Sequence, residues 1–223
     1  MSVKTIGVLG LGVFGSSIAK ELNEFDCDVI AVDRDMDNIE RVEPYVTKAI
    51  QGNITDLNFL RSIGLDNCDV VVVATGTSLE ASVLAIMNCK KLGVPSIIAK
   101  AKNKSFMEVL YEIGATKVIR PEKEAGTRVA KNVLRRHITD IVDLDEDYAV
   151  IEFKPPIRWI GKTFDELDLR KKYEINIIGI RKVNQKRMDV SFGPDYRIEE
   201  GTVLVGIAES EIFERYDYLN KLK

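Results

Sequence analysis

Histidine is almost missing from this 223-residue chain; it occurs once, as His137. A serine–histidine–aspartate triad or an imidazole-based metal site would have to use that single ring. It lies in the basic segment "LRRHITD", where a cation suits the end of a helix and its dipole. Cysteine is nearly as scarce. Cys27, Cys68 and Cys89 are odd in number, widely spaced and without a C-x-x-C pair. That spacing argues against disulfides and zinc and reads all three as small buried hydrophobes. Apolar runs are short, and none approaches the ~20 residues of a membrane span. The opening "MSVKTIGVLG" lacks a secretory-signal pattern and runs into a strand. Basic excess is absent too. With 32 Lys and Arg against 35 Asp and Glu, the net charge is −3, which offers no electrostatic footprint for nucleic acid. No repeat, low-complexity tract or Gly/Ser linker breaks the chain. The expectation is a cytoplasmic protein of one large or two modest domains.

Against these absences stands a regular alternation. Short apolar runs at 5–9, 28–32, 47–51, 69–74, 96–100 and 117–120 read as strands. Helical stripes lie between them: Phe14, Ile18, Ala19 and Leu22; then Leu57, Leu60 and Ile63. A third helix over 79–92 closes at Gly93, with Pro95 beyond it, and Phe106, Val109, Leu110 and Ile113 form a fourth, ended by Gly114. Six strands with long crossovers predict an α/β fold, a Rossmann-type doubly wound parallel sheet. After Pro121 the pattern changes to one long helix over 122–136, with Ala125, Val129, Ala130, Val133 and Leu134 inward. Short alternating strands follow, ended by Pro155-Pro156; then come a short helix, strands at 176–181 and 203–208, a turn at Gly201 and a terminal helix over 210–221. The predicted organisation is a first domain over 1–139, including the crossover helix, and a small α+β domain over 140–223.

The stretch "VLGLGVFGSSIAKEL" carries the chemistry. Gly10, Gly12 and Gly15 fit G-x-G-x-x-G after a strand and at the head of a helix. Gly10 permits the tight turn, Gly12 lets backbone N–H groups approach a phosphate, and Gly15 lets helix and strand pack closely. The helix N-terminus adds its partial positive charge. Asp33 ends the second strand at the expected distance, where a carboxylate accepts both ribose hydroxyls and repels a 2′-phosphate. Arg34 beside it reads as solvated or stacked on adenine. Asn53 and Thr55 after the third strand, and Ala74, Thr75 and Gly76 after the fourth, should line the same crevice. Thr55 and Ser78 also suit helix N-caps. A dehydrogenase would need an acid or base beside its nicotinamide. No Tyr-x-x-x-Lys pair is present, and the second domain is small for a substrate domain. The reading is an adenine-nucleotide sensor and not an enzyme, with a small NAD-dependent oxidoreductase as the alternative.

The segments "GLGVFGSSIAKEL", "AVDRD", "GNITD", "VVVATG", "IIAKAKN", "IGATKVIRPEKEAG" and "LDLRKKYEINIIGI" together resemble the RCK, or KTN, regulatory subunits of Ktr/Trk-type potassium uptake systems. The resemblance covers nearly the whole chain. It implies a cytosolic subunit at the inner face of the membrane, which pairs into homodimers and assembles into a higher-order ring, commonly an octamer, beneath a potassium-translocating membrane partner. It implies ATP, ADP, NAD or NADH in the cleft, shifting the ring by binding one state better than another. Related regulatory domains serve other cation transporters, which is a further alternative. The resemblance adds Val13, Phe14, Ile54, Lys100 and Glu122 to the expected nucleotide site, Glu122 near the phosphates and sometimes with a divalent cation. A first-turn acid also simply suits a helix dipole. One position departs: family members usually carry Arg where this chain has Val13, and an apolar side chain cannot pair with a γ-phosphate.

The second domain resembles members that bind cyclic di-AMP between two C-terminal domains. The matching positions are Phe164, Leu167, Asp168, Arg170, Asn176, Ile177 and Pro194. Paired copies of Arg170 would hold both phosphates, Asn176 a base edge, and Phe164, Ile177 and Pro194 the adenines. Without the resemblance the same residues read as a dimer core, with Arg170 bridging Asp168.

Overall fold

Alternating apolar runs and helices build a six-stranded sheet. The computed structural model describes residues 4–25, 27–76, 78–133, 138–145, 147–182, 185 and 187–212. In chain order the first elements are β1 (Lys4–Leu9), α1 (Val13–Leu22), β2 (Cys27–Asp33), α2 (Met36–Val42), β3 (Lys48–Gln51) and α3 (Leu57–Ser62). β4 (Val70–Val73), α4 (Leu79–Lys91), β5 (Ser96–Lys100), α5 (Lys104–Glu112), β6 (Lys117–Ile119) and α6 (Pro121–Val133) follow. The strand order is β3-β2-β1-β4-β5-β6, with every neighbouring pair parallel. Side chains alternate across the sheet. Leu9, Ile30 and Val32 belong to one core cluster with Leu60, Ile86 and Leu110. Ile6, Val8, Val29 and Ala31 belong to another with Ala19 and Ile39. Both faces are therefore covered by helices, as a doubly wound sheet requires.

Several local features differ from the sequence reading, among them the stripe expected inward on α6, where Ala125, Val129, Ala130 and Val133 are all exposed. Helix α2 has no counterpart among the expected helices. It is only seven residues long and buries just Ile39 and Val42, too few for a visible stripe. The cap of α3 is Asp56, one residue beyond Thr55. Its carboxylate accepts from the N–H groups of Asn58 and Phe59 at 2.8 and 3.1 Å. Ser78 does cap α4, accepting from Ala81 N–H at 3.1 Å.

The second sheet comprises β7 (Ile138–Asp143), β8 (Tyr148–Phe153), β9 (Asn176–Arg181) and β10 (Val203–Glu209), antiparallel in the order β7-β8-β10-β9. Between β8 and β9 the expected short helix is two, α7 (Phe164–Leu167) and α8 (Leu169–Tyr173). They break at Asp168, whose φ is +45°. Trp159, 1% exposed, anchors this core edge-on against Phe153 and Tyr173. The chain packs as two compact units, Met1–Lys123 and Glu124–Lys223, dividing inside α6, whereas the sequence suggests a boundary after that helix at 139/140. His137 and most of the expected terminal helix lie outside the described residues.

Candidate functional site

At the carboxyl ends of the parallel strands, where the order reverses between β1 and β4, the first unit opens into a cavity of about 1200 Å³. That is where ligands sit in this topology. The loop from β1 to α1 forms its floor. Gly10 adopts φ +94°, a conformation that disfavours any side chain. Its N–H donates to Val32 O at 2.8 Å. A Cβ on Gly12 would meet nothing within 4 Å, so its backbone faces open space. Gly15 does not line the cavity; it packs under the loop, and a Cβ there would strike the Gly10 carbonyl oxygen. Val13, 86% exposed, and Phe14 line the mouth.

Asp33 faces this loop from the end of β2. One carboxylate oxygen accepts Leu11 N–H at 2.5 Å and the other accepts Asp35 N–H at 2.9 Å. Each oxygen keeps a lone pair for a further donor, such as a ribose hydroxyl. Arg34 and Asn38 stand on the same side of the cavity. After β3, Gly52, Asn53, Ile54 and Thr55 form the next wall. Asn53 Oδ1 accepts both Thr55 N–H and Thr55 Oγ1–H, at 3.0 and 2.9 Å, which fixes a tight turn. After β4, Ala74, Thr75 and Gly76 complete the rim, with Glu80, Ala81 and Leu84 of α4 above them.

Lys100 ends β5 with its side chain 16% exposed. Its stem lies over Gly76, where a Cβ would come within 3.1 Å of Cε. The ammonium stands 5.6 Å from the centre of the Phe14 ring. It donates to Glu122 Oε1 at 2.5 Å, in the first turn of α6. This hydrogen bond holds the Glu122 carboxyl below its ordinary range. The Lys100 ammonium is thus already partnered by an acid. Lys102 also lines the cavity.

The structure thus brings fourteen of the fifteen expected residues to one cavity, with Gly15 directly beneath it. Sequence reasoning did not reach Asn38, Gly52, Glu80, Ala81, Leu84 or Lys102 as lining residues. Helix periodicity on α4 was the available signal for Ala81 and Leu84, three apart and on one face.

The second group of expected residues lies in the second unit. Phe164 is half-buried against the rings of Phe192 and Tyr196, with centroids 5.3 and 5.8 Å away. Pro194 O accepts Asp165 N–H at 2.9 Å, which ties that loop to the start of α7. Arg170 and Asn176 are exposed, Ile177 is half-buried and Leu167 belongs to the core. Asp168 pairs with Lys171, at 3.9 Å and one helical turn away, and not with Arg170 as the dimer-core alternative has it.

Family models match both halves: a TrkA-N domain over residues 6–121 and a TrkA-C domain over 148–217. The chain belongs to the TrkA-N/TrkA-C family. This TrkA-type chain is 37% identical to Ktr system potassium uptake protein C of Bacillus subtilis (strain 168) over 179 residues, 80% of this chain and 81% of that protein. It is 32% identical to Ktr system potassium uptake protein A of the same organism over 214 residues, 96% of each. Among solved structures, the GsuK RCK domain aligns with 98% of this chain and 48% of its own, at a TM-score of 0.63 and 18% identity. The GsuK channel bound to NAD aligns with 98% and 39%, at a TM-score of 0.63 and 17% identity. The TrkA-type chain spans half or less of those two proteins, and the likeness establishes a shared RCK fold.

Proposed function

We propose that this chain is the nucleotide-sensing regulatory subunit of a Ktr/Trk-type potassium uptake system, at work in the cytoplasm against a membrane-embedded potassium-translocating partner. The observation that carries the reading is the pairing of the glycine loop with Asp33: Leu11 N–H and the Asp33 carboxylate meet at 2.5 Å beside an open cavity. Phosphates would lie on the backbone N–H groups of the loop, and the sugar on Asp33. Relatives named as Ktr uptake proteins, over four-fifths or more of their length, supply the physiological context. Among the described residues the cavity is lined by no histidine, tyrosine or cysteine. No helix among those residues is long and apolar enough to cross a membrane. Residues 1–139 would take the adenine nucleotide. Residues 140–223 would pair across a two-fold and take cyclic di-AMP on Arg170, Asn176 and the Phe164 cluster. The dimer would build into a ring.

Calorimetry with ATP, ADP, NAD, NADH and cyclic di-AMP tests both sites. Asp33→Ala should weaken the adenine nucleotides at least about tenfold, the loss of one or two hydrogen bonds to a charged acceptor. It should spare cyclic di-AMP. Arg170→Ala should do the reverse. With Val13 in the loop, ATP and ADP should bind within about threefold of each other, since no side chain at that position can pair with an extra phosphate. Unchanged affinity in the Asp33 variant overturns the nucleotide assignment, and unchanged cyclic di-AMP affinity in the Arg170 variant overturns the second site.

A further inference from the structure

Helix α4 carries two polar side chains that the core covers almost completely. Ser82 is 3% exposed and Asn88 is 7% exposed. Buried polar groups in folded proteins find partners, and both of these find one beyond their own helix, on the rim of the cavity. Ser82 Oγ lies 3.0 Å from Thr75 O and 3.0 Å from Ser78 O. Asn88 Nδ2 donates to Thr55 O at 2.9 Å, across 33 positions of sequence. Thr75 belongs to the loop after β4 and Thr55 to the loop after β3, and both line the cavity. A single helix therefore holds two separate walls of the site, while its own Ala81 and Leu84 form part of a third.

The atoms held are carbonyl oxygens. A carbonyl turned into the cavity would oppose the negative oxygens of a phosphate. Asn88 gives the Thr55 oxygen a protein donor, the single Ser82 hydroxyl proton is shared between Thr75 O and Ser78 O, and both loops are tied to α4 before a ligand arrives. Fixing a loop in advance removes an ordering cost from binding.

We infer that Ser82 and Asn88 are positioning residues for the ligand of this cleft: α4 holds the β3–α3 and β4–α4 loops in a fixed arrangement that an anionic nucleotide requires. The inference rests on the nucleotide reading of the cavity. Asn88→Leu keeps the branching at Cγ, adds some volume and removes the amide donor; Ser82→Ala removes the hydroxyl. Ile86→Val, on the same helix and fully buried without a bond to either loop, is the control for a purely structural effect. Three readouts apply to the full chain: ADP affinity by calorimetry, melting temperature, and amide hydrogen exchange over 53–56 without ligand. Asn88→Leu should weaken ADP about tenfold and speed exchange over 53–56, the consequence of one lost buried hydrogen bond. Ser82→Ala should weaken ADP while leaving 53–56 protected. Ile86→Val should lower the melting temperature and leave affinity and loop exchange alone. Unchanged exchange in Asn88→Leu, or an equal loss of ADP affinity in Ile86→Val, overturns the inference. If the wild-type chain binds no ADP, the nucleotide reading falls by itself, and the exchange comparison still decides whether α4 holds the loop.

Discussion

Gly12 and Gly15 are three residues apart in one motif and should fail in different ways. A Cβ on Gly15 strikes the Gly10 carbonyl, so Gly15→Ala should destabilise the first unit by about 3 kcal/mol, as overpacking against rigid backbone does. A Cβ on Gly12 meets nothing within 4 Å. Gly12→Ala should therefore cost no more than about 1 kcal/mol at its cap position and still abolish nucleotide binding, because the methyl would occupy phosphate space. Urea unfolding beside calorimetry separates the two. Such residues were legible because glycine at fixed spacing reports a backbone requirement. Asn88 was not: its partner Thr55 is far away in sequence, and a polar residue on a helix reads as solvent-facing until the tertiary fold buries it.

Elements were legible in proportion to their length and burial. The middles of β1 and β2, residues 6–9 and 29–32, are continuous apolar runs, while the brief α2 buries too little to show a stripe. The division of α7 from α8 was hidden for another reason. Nothing in the string "DELDLRKKYE" announces left-handed residues, yet Asp168 has φ +45° and Glu174 has φ +57°. Aspartate visits that region at modest cost, but glutamate has a Cβ to place and no short side chain to compensate. Glu174 is exposed and ends α8 where glycine is the usual residue. Glu174→Gly should stabilise the second unit by about 1 kcal/mol, read as a higher urea midpoint with an unchanged slope. The same change made at right-handed Lys172 should destabilise.

Across the whole molecule the scarce thiols give a measurable signature. Cys68 and Cys89 are 2% and 0% exposed. Burial pushes their thiols up to about 11 and about 12 from an ordinary 9.0. At pH 8 an alkylating reagent should label half-buried Cys27 in the native chain and reach the other two only in denaturant. Alkaline stability follows with a definite sign. Above pH 9 the unfolded chain releases both protons while the folded chain retains them, so the unfolded state gains. Each thiol should steepen the loss by up to about 1.4 kcal/mol per pH unit between pH 9 and 11. Unfolding of Cys68→Ala/Cys89→Ala across that range should be correspondingly flatter. Parallel topology was legible at this scale from the alternation of runs and helices. The site was legible only in part, because its second tier depends on which helix lies behind which loop.

The reversal of strand order has one more result. The cleft draws its floor from β1 and β2 and its far rim from β4 and β5, so the sheet's two halves meet there along a seam. A molecule seated across that seam would act as a rivet: pulling it free and parting the halves become one event, and occupancy makes the whole platform behave as a single plate.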